Sequence, residues 1–355
     1  MSWKFKLSVV AAFCISLAAC ESLQYYGQAI NGQLYILAHR KPISRLLQDP
    51  DTSPALKSRL DSISRIRAFA ESRLHLPVGS HYSTYVDLQR QYVVWNVFAA
   101  PEFSMRPVVW CYPVAGCVSY RGYFGERSAR KSAEALRQQG YDVFVGGVAA
   151  YSTLGWFSDP VLNTVINRDE HQLAGLLFHE LAHQVVYIPG ETEFNESFAT
   201  AVEREGLQRW LDSVDTAAET RQQLANAIKD DLVRQQQFTA LVQSAVVDLN
   251  NLYGGSLAEA DMRIAKEARI SRLRDDYAIL KIQWEGYGGY DGWFARDLNN
   301  AQLATVATYN NLVPAFTTML QQANGDFPLF YQNVMQLKHL EPEQRQLKLQ
   351  MLMAQ

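Results

Sequence analysis

Hydrophobic residues in the N-terminal half of the chain follow first helical and then strand spacing. Residues 41–74 carry apolar side chains about every 3.6 positions, which predicts a helix that two prolines divide into two pieces. Residues 82–110 are rich in aromatic and β-branched side chains, which favours strands. Residues 126–139 have an amphipathic helical pattern, and residues 142–150 (DVFVGGVAA) predict the clearest strand.

The C-terminal half has mainly helical periodicity. Residues 206–251 and 257–284 predict a long helical hairpin that leans on the core. The segment 285–293 is rich in Gly and aromatic residues, which predicts a mobile loop at the rim of a cleft. Residues 299–322 and 327–340 predict the helices that complete the domain. These elements predict an α+β fold that is mostly helical, with one small sheet.

The apolar run 173–188 contains His179-Glu180-Leu181-Ala182-His183, an H-E-x-x-H motif. Residues four positions apart lie on one face of a helix, so the imidazoles of His179 and His183 can reach one Zn²⁺. Glu180 can then sit beside the water that the metal activates and take its proton. Burying these polar groups without a metal would cost free energy. The motif therefore predicts one zinc ion per chain.

A catalytic zinc takes three protein ligands and keeps one position open, so a third ligand is needed. The chain after His183 predicts a helix end at Pro189-Gly190 and a second helix over residues 193–210. The carboxylate candidates there are Glu191, Glu193, Glu196 and Glu203. We predict Glu196 as the ligand. Glu203 lies seven residues later on the same helix face, so it either holds a His ring or forms an ordinary surface salt bridge.

Several longer motifs carry a resemblance to a known family. They are FHELAHQ with FNESFATAVE, the segments 26–28, 32–34, 95–104, 116–124, 150–157 and 298–301, and the pair Asp159-Pro160. In these motifs the chain resembles a bacterial family of predicted aminopeptidases, metallopeptidases of the gluzincin kind with two His and one Glu on zinc. The resemblance spans nearly the whole mature chain. Twelve residues separate His183 from Glu196, fewer than in thermolysin-like enzymes, so the substrate-pocket residues of those enzymes are not assigned here.

The resemblance implies a zinc-dependent peptidase, with aminopeptidase as the family label. It also implies a zincin-like core, with a small sheet beside the H-E-x-x-H helix, in a single domain over residues 41–355 that includes a helical hairpin at about 206–284. A zinc amidase or endopeptidase acting on cell-wall peptides remains an alternative. So does a non-catalytic assembly protein with a structural zinc, although Glu180 argues against it because a structural site needs no general base.

Peptide hydrolysis also needs a donor, besides the zinc, that stabilises the tetrahedral oxyanion. The candidates in the sequence are Tyr120, Arg121, Tyr151 and Tyr309, each of which could equally be a packing residue. An aminopeptidase would in addition need an acidic group for the substrate amine. Glu102, Asp159 and Glu191 are candidates for that group.

The first 20 residues have the pattern of a bacterial secretion signal. Lys4 and Lys6 precede an apolar stretch that ends in Leu17-Ala18-Ala19-Cys20. This ending resembles the lipobox of bacterial lipoproteins, so we expect a signal peptide over residues 1–19, a lipid on Cys20 and a tether over residues 20–40. A permanent membrane anchor is the weaker alternative, because a spanning helix takes about 20 apolar residues. Position 21 is Glu and not Asp, which resembles the pattern for sorting a lipoprotein to the outer membrane more than the pattern for retaining it in the inner membrane. We therefore expect the protein at the periplasmic face of the outer membrane.

Charge and cysteine content are consistent with export. Without residues 1–19 the chain has 31 basic and 36 acidic residues, which argues against a nucleic-acid partner and leaves peptide substrates and the membrane as expected partners. Cys111 and Cys117 remain after processing, and a disulfide could close the short loop between them in an oxidising periplasm. Two free thiols or a soft-metal pair are the alternatives.

Overall fold

The computed structural model describes residues 25–112, 116–150, 152–153, 157–213, 218–307 and 312–354. The helices are α1 (25–38), α2 (Ile43–Gln48), α3 (Pro54–Leu74), α4 (Glu126–Gln138), α5 (Asn163–Ile166), α6 (Glu170–Val185), α7 (Thr192–Ser213), α8 (Ala218–Tyr253), α9 (Glu259–Gln283), α10 (Asp291–Phe294), α11 (Asn300–Ala307), α12 (Val313–Gln322), α13 (Phe327–Lys338) and α14 (Pro342–Met353). The strands are β1 (Lys41–Pro42), β2 (Thr84–Val86), β3 (Val94–Pro101), β4 (Trp110–Tyr112), β5 (Gly116–Val118), β6 (Arg121–Tyr123), β7 (Tyr141–Val148) and β8 (Val161–Leu162). The predicted signal peptide and Cys20 lie outside the described residues.

The predicted fold class, α+β and mostly helical, is confirmed. The expectation of one small sheet is wrong, because the described strands form two three-stranded sheets and a two-stranded hairpin. The hairpin sheet arises where β4 and β5 pair across a very short connection, with Cys111 opposite Cys117.

The longest strands form the sheet that faces the predicted zinc helix. Its order is β6-β3-β7, and all pairs are antiparallel. Helix α4 covers one face, where Ala129 and Ala133 pack on Val97 and Val143. Strand β7 lies at one edge of this sheet. A strand that pairs with the extended backbone of a substrate has to lie at such an edge. However, the side chains of Arg296 and Asn299 bond its carbonyls at 145 and 143, so that part of the edge is already occupied.

Helices α6 and α7 pack closely in the largest hydrophobic core, together with α3 and the C-terminal helices. Gly206 makes this contact close, because a Cβ there would lie 2.8 Å from the Phe178 ring. Phe178 is fully buried at this contact, and Phe198 of α7 is fully buried against the rings of Phe316 and Phe330 in the C-terminal helices. The close packing sets the positions of the side chains that project from the two helices.

The helical hairpin begins later than the sequence predicts. Gly206 belongs to α7, and the hairpin consists of α8 and α9, which enclose a separate cluster around Phe238, Val242 and Leu273. The residues 214–217, between α7 and α8, lie outside the described part of the chain. Apolar periodicity continues through both helices, so it did not show this boundary.

The C-terminal end adds a helix that the sequence analysis missed. Pro342 occupies the first position of α14, where a proline is well tolerated. Leu349 and Leu352 bury the helix against the main core. Among the described residues, none of the helices has the length and apolar character needed to cross a membrane.

Candidate active site

The turn between α6 and α7 sets the relative position of the H-E-x-x-H helix and the following carboxylates. Gly190 takes a left-handed backbone conformation with φ of 83°, which lets the chain reverse. The buried Asn195 side chain accepts a hydrogen bond from the Ile188 N–H and donates one to the Ile188 carbonyl, each over 2.8 Å. This paired contact holds the start of α7 and hence Glu196 next to the end of α6.

Two imidazoles and one carboxylate converge between the helices. His179 Nε2 lies 3.3 Å from Glu196 Oε2, and His183 Nε2 lies 3.8 Å from Glu196 Oε1. One ligand-type atom from each of the three residues lies within 4.8 Å of the others. The structure therefore brings together the three residues that the sequence analysis proposed as ligands.

Glu203 approaches the same ring from its other side. Its Oε2 lies 3.1 Å from His179 Nδ1, so the His179 ring is held between two carboxylates. Gly175 makes room for this approach, because a Cβ there would lie 3.1 Å from Glu203 Oε1. The sequence left an ordinary surface salt bridge as the alternative for Glu203. The structure instead places the Glu203 carboxylate against the His179 ring.

The carboxylates control the protonation of His179. Burial opposes its charged form, but the hydrogen bonds to Glu196 and Glu203 outweigh burial and hold the pKa of His179 well above its usual value. The pKa of Glu196 is lowered despite burial, mainly because of the hydrogen bond with His179. These carboxylates thus favour a positive charge at the position of the His179 ring.

Glu180 and His183 lie in a less polar environment. Burial raises the pKa of Glu180 to about 7, helped by the nearby charges of Glu196, Asp159 and Glu203 and opposed by His179. Burial, with a contribution from His179, lowers the pKa of His183 to about 4. His183 is therefore a neutral imidazole near pH 7, which is the form that binds metals.

The donor set fits a metal ion. Two imidazoles and one carboxylate are the protein ligands of many catalytic zinc sites. His183 Nδ1 is buried without a hydrogen-bond partner among the described residues, and its Nε2 is beyond hydrogen-bond distance from Glu196. A metal ion on Nε2 would give that nitrogen a partner and offset the charge of the surrounding carboxylates, while Nδ1 would remain without a partner among the described residues.

The site opens into cavities on two sides. A cleft of about 480 Å³ lies against the sheet and is lined by both His, Glu180 and Glu196 together with residues of β3, β6 and β7. A second cavity of about 490 Å³ reaches His179, Glu180 and Glu203 from the side of α8. Tyr287 and Tyr290 line this second cavity, so the segment predicted to rim a cleft does so. The two cavities therefore leave open space next to His179 and Glu180 toward the sheet and toward α8.

The oxyanion candidates differ in where they lie. Tyr120 lines the cleft beside His179. Arg121 stacks over the Tyr25 ring, with 4.3 Å between its guanidinium carbon and the ring centre. Tyr151 and Tyr309 lie outside the described residues.

Tyr187 is a candidate functional residue that the sequence analysis did not consider. It lines the cleft, and its pKa is raised by burial and by the charge of Glu196. Its place four positions after His183 was the available signal, because a continued helix would put it on the metal-facing side.

The carboxylates considered for the substrate amine are engaged elsewhere. Glu102 pairs with Arg263 at 2.6 Å, and Glu191 pairs with Arg345. Asp159 is 2% exposed and accepts hydrogen bonds from Thr153. The structure assigns none of the three to the cleft lining, and Asp159 instead holds the segment that places Ser152 and Thr153 there.

The hairpin of β4 and β5 forms part of the cleft wall. A disulfide joins Cys111 and Cys117, with 3.9 Å between their Cα atoms. The adjacent residues Tyr112 and Val118 line the cleft. The disulfide therefore constrains a surface that a substrate would contact.

Comparison with known proteins identifies the family of this chain. The profile of a family described as "Putative aminopeptidase" matches residues 24–349. No curated protein and no solved structure matches the chain. The family match includes α6, α7 and the strands that line the cleft. Since it covers far more than half of the sequence, the chain belongs to the "Putative aminopeptidase" family.

Proposed function

We propose that this protein is a zinc-dependent peptidase with a zincin-like core, and that it acts as an aminopeptidase. The observation that carries the proposal is the convergence of His179, His183 and Glu196 within 4.8 Å, at the base of an open cleft. Two His and one Glu form the gluzincin ligand set. The family to which the chain belongs supports peptide substrates.

Each residue has a separate task in this proposal. When bound, zinc polarises the scissile carbonyl and lowers the pKa of a bound water toward about 7. His179, His183 and Glu196 hold the ion, and Glu203 fixes the orientation of the His179 ring through Nδ1. Such outer carboxylates raise the basicity of the ligand that they orient.

Glu180 carries the proton in the proposed reaction. It lies on α6 beside His179 and lines both cavities, so it can reach a substrate in either. Its carboxylate takes the proton from the attacking water and later donates it to the leaving amine. Tyr120 and Tyr187 line the same cleft and are the described candidates for oxyanion stabilisation.

Metal analysis of the purified protein, combined with mass-spectrometric cleavage profiling of a mixed peptide pool, tests the proposal. We expect zinc at about one equivalent per chain and sequential loss of N-terminal residues. Internal cuts, or cleavage restricted to cell-wall stem peptides, would support the endopeptidase or amidase alternative. Zinc without any turnover would support a structural role, and a protein that binds no metal would overturn the proposal.

We also propose that the protein is anchored by lipid on Cys20 at the periplasmic face of the outer membrane. The lipobox-like Leu17-Ala18-Ala19-Cys20 supports this location. Stable anchoring requires more than one acyl chain, which lipoprotein processing supplies. Cys20→Ala should leave an uncleaved precursor or release soluble protein. Processing and membrane fractionation like those of the unmodified protein would exclude the lipid anchor.

A further inference from the structure

Helix α1 (25–38) is attached firmly to the rest of the protein through its inner face. Ile36 is 2% exposed, and the Gln28 side chain accepts a hydrogen bond from the Phe124 backbone N–H over 2.8 Å. Gly32 lies so close to the Phe124 ring that a Cβ would overlap it. The helix therefore moves with the sheet and not as a separate tail.

The opposite face of α1 is apolar and exposed. Tyr26, Ile30 and Leu34 are 45%, 58% and 55% exposed. Their spacing of four residues places them in one row along the helix, which we name the outward stripe. Residues 25–38 contain no charged side chain at all.

The outer side of this helix differs from that of α4, another surface helix of the protein. Helices at a protein surface ordinarily turn a charged face to water, and helices that are apolar all round are covered. Helix α4 follows the ordinary pattern, with exposed Arg127, Arg130 and Glu134 on its outer side. The composition of α1 thus indicates that something covers the outward stripe.

Two features of the neighbouring chain indicate the occupant. Cys20 precedes the start of α1 by five residues, which span at most about 18 Å when extended. The only charged residues between Glu21 and Asp49 are the basic Arg40, Lys41 and Arg45. Lys41 and Arg45 are exposed, whereas the Arg40 guanidinium is buried near Asp159 and does not contribute to this argument. Basic residues close to a membrane surface are attracted to anionic lipids.

We propose that the outward stripe of α1 lies on the surface of an anionic phospholipid bilayer. This inference rests in part on the proposed lipid on Cys20, which would keep α1 within reach of the membrane. Tyr26 suits the headgroup region because its ring is apolar and its hydroxyl is polar. A free helix at a membrane surface needs a polar face on the side that points to water. Helix α1 does not, because that side is buried against the rest of the protein.

The contact would orient the cleft relative to the membrane. Tyr25 and Ala29 of α1 line the same cleft as Glu180 and Glu196. One helix thus forms both the proposed membrane contact and a wall of the cleft. Peptide segments close to the bilayer surface would have direct access to the proposed metal position.

Vesicle co-sedimentation of mature protein carrying Cys20→Ser tests the contact without the lipid anchor. The probe is vesicles of phosphatidylethanolamine with a minor share of phosphatidylglycerol. We expect binding by this protein, and at least about tenfold weaker binding after Ile30→Glu with Leu34→Glu, because apolar contacts are lost and negative charges meet anionic headgroups. The matched control is Ile264→Glu with Ile282→Glu on α9, where the isoleucines are 67% and 77% exposed; it should bind as before.

Circular dichroism and metal content should be unchanged in both double variants, which separates this inference from the proposed function. The inference is overturned if the Cys20→Ser protein does not bind the vesicles, or if the α1 variant binds as tightly as the α9 control. A dimer in sedimentation analysis that dissociates in the α1 variant, without vesicle binding, would show that a second copy covers the stripe and would also overturn it.

Discussion

His179 and Glu203 are hydrogen-bonded over 3.1 Å although they lie 24 positions apart on different helices. The other nitrogen of the ring faces Glu196 at 3.3 Å. A metal-ligating His commonly donates its second N–H to a carboxylate, which sets the tautomer and orientation of the ring. In the proposed function, Glu180 is the base, Glu196 is a metal ligand and Glu203 orients the His179 ring, and each of these roles can be tested separately.

Glu180→Gln should bind about one equivalent of zinc and lose nearly all turnover, because the amide keeps the shape of the side chain but cannot accept a proton. Metal content and peptide hydrolysis are measured on the same preparation. Glu134→Gln, on the exposed face of α4, is the matched control and should keep full activity. Turnover near the unmodified level in Glu180→Gln would exclude it as the base.

Glu196→Ala should lose zinc, because it removes the only carboxylate in the proposed ligand set. The bound metal is measured after dialysis against a weak chelator. Glu205→Ala on the same helix is the control, since Glu205 pairs with Arg209 instead. If Glu196→Ala retained zinc and Glu191→Ala or Glu193→Ala lost it, the ligand assignment would be wrong while a zinc peptidase would remain.

Glu203→Gln should weaken zinc affinity by about 10- to 100-fold without abolishing binding, because it removes the charge that orients the His179 ring. Competition with a fluorescent zinc chelator measures the affinity. Glu205→Gln should leave it unchanged. An affinity equal to that of the unmodified protein would mean that Glu203 has only a structural role.

Replacing Cys111 and Cys117 together by Ser should lower the free energy of unfolding by about 2 kcal/mol, the entropic value for a loop this short. Urea unfolding measures the change, and adding a reductant to the unmodified protein should reproduce it. KM should also rise, because the hairpin lines the cleft. Ready alkylation of both thiols in protein isolated without reductant would contradict the disulfide.

Asp159→Ala should destabilise the protein by about 1–3 kcal/mol, because it leaves two partly buried donors of Thr153 without this partner. Thermal unfolding measures this loss. Asp61→Ala is the control, since Asp61 is 63% exposed and its loss should cost no more than about 0.5 kcal/mol. A stable variant with poor affinity only for peptides that carry a free amine would instead support amine binding by Asp159.

Local sequence patterns determined much of the secondary structure and the centre of the site. The helical period predicted α3 and α4, and the β-branched run predicted β7, within one to two residues at most boundaries. The spacing of His179 and His183 follows from helix geometry alone, because residues four apart share a face. The expected helix end at Pro189-Gly190 is wrong, because α6 already ends at Val185. The start of the next helix was nevertheless predicted to within one residue, since the turn at Gly190 leads into α7 at Thr192, and this placed Glu196 correctly on it.

The hydrophobic periodicity did not show the end of a helix where the same spacing continued into the next helix. The apolar pattern of residues 206–251 concealed the end of α7 at Ser213, because helices on both sides bury one face. The number of sheets was also underestimated. Strands β1, β2 and β8 are two or three residues long, which is too short to show the alternating pattern of a strand in the sequence. Such short strands form only because packing brings their backbones together.

The sequence by itself determined most of the helices, although not α14 or the boundary between α7 and α8. It also determined the mostly helical fold class and the H-E-x-x-H motif, since these depend on residues close together in the chain. Only the tertiary structure decided which carboxylate meets which ring. The contact of Glu203 with His179 depends on the close approach of α7 at Gly175, and the engagement of Glu102 and Glu191 depends on distant arginines. These contacts join residues that are far apart in the chain, and packing of the whole core sets their distances.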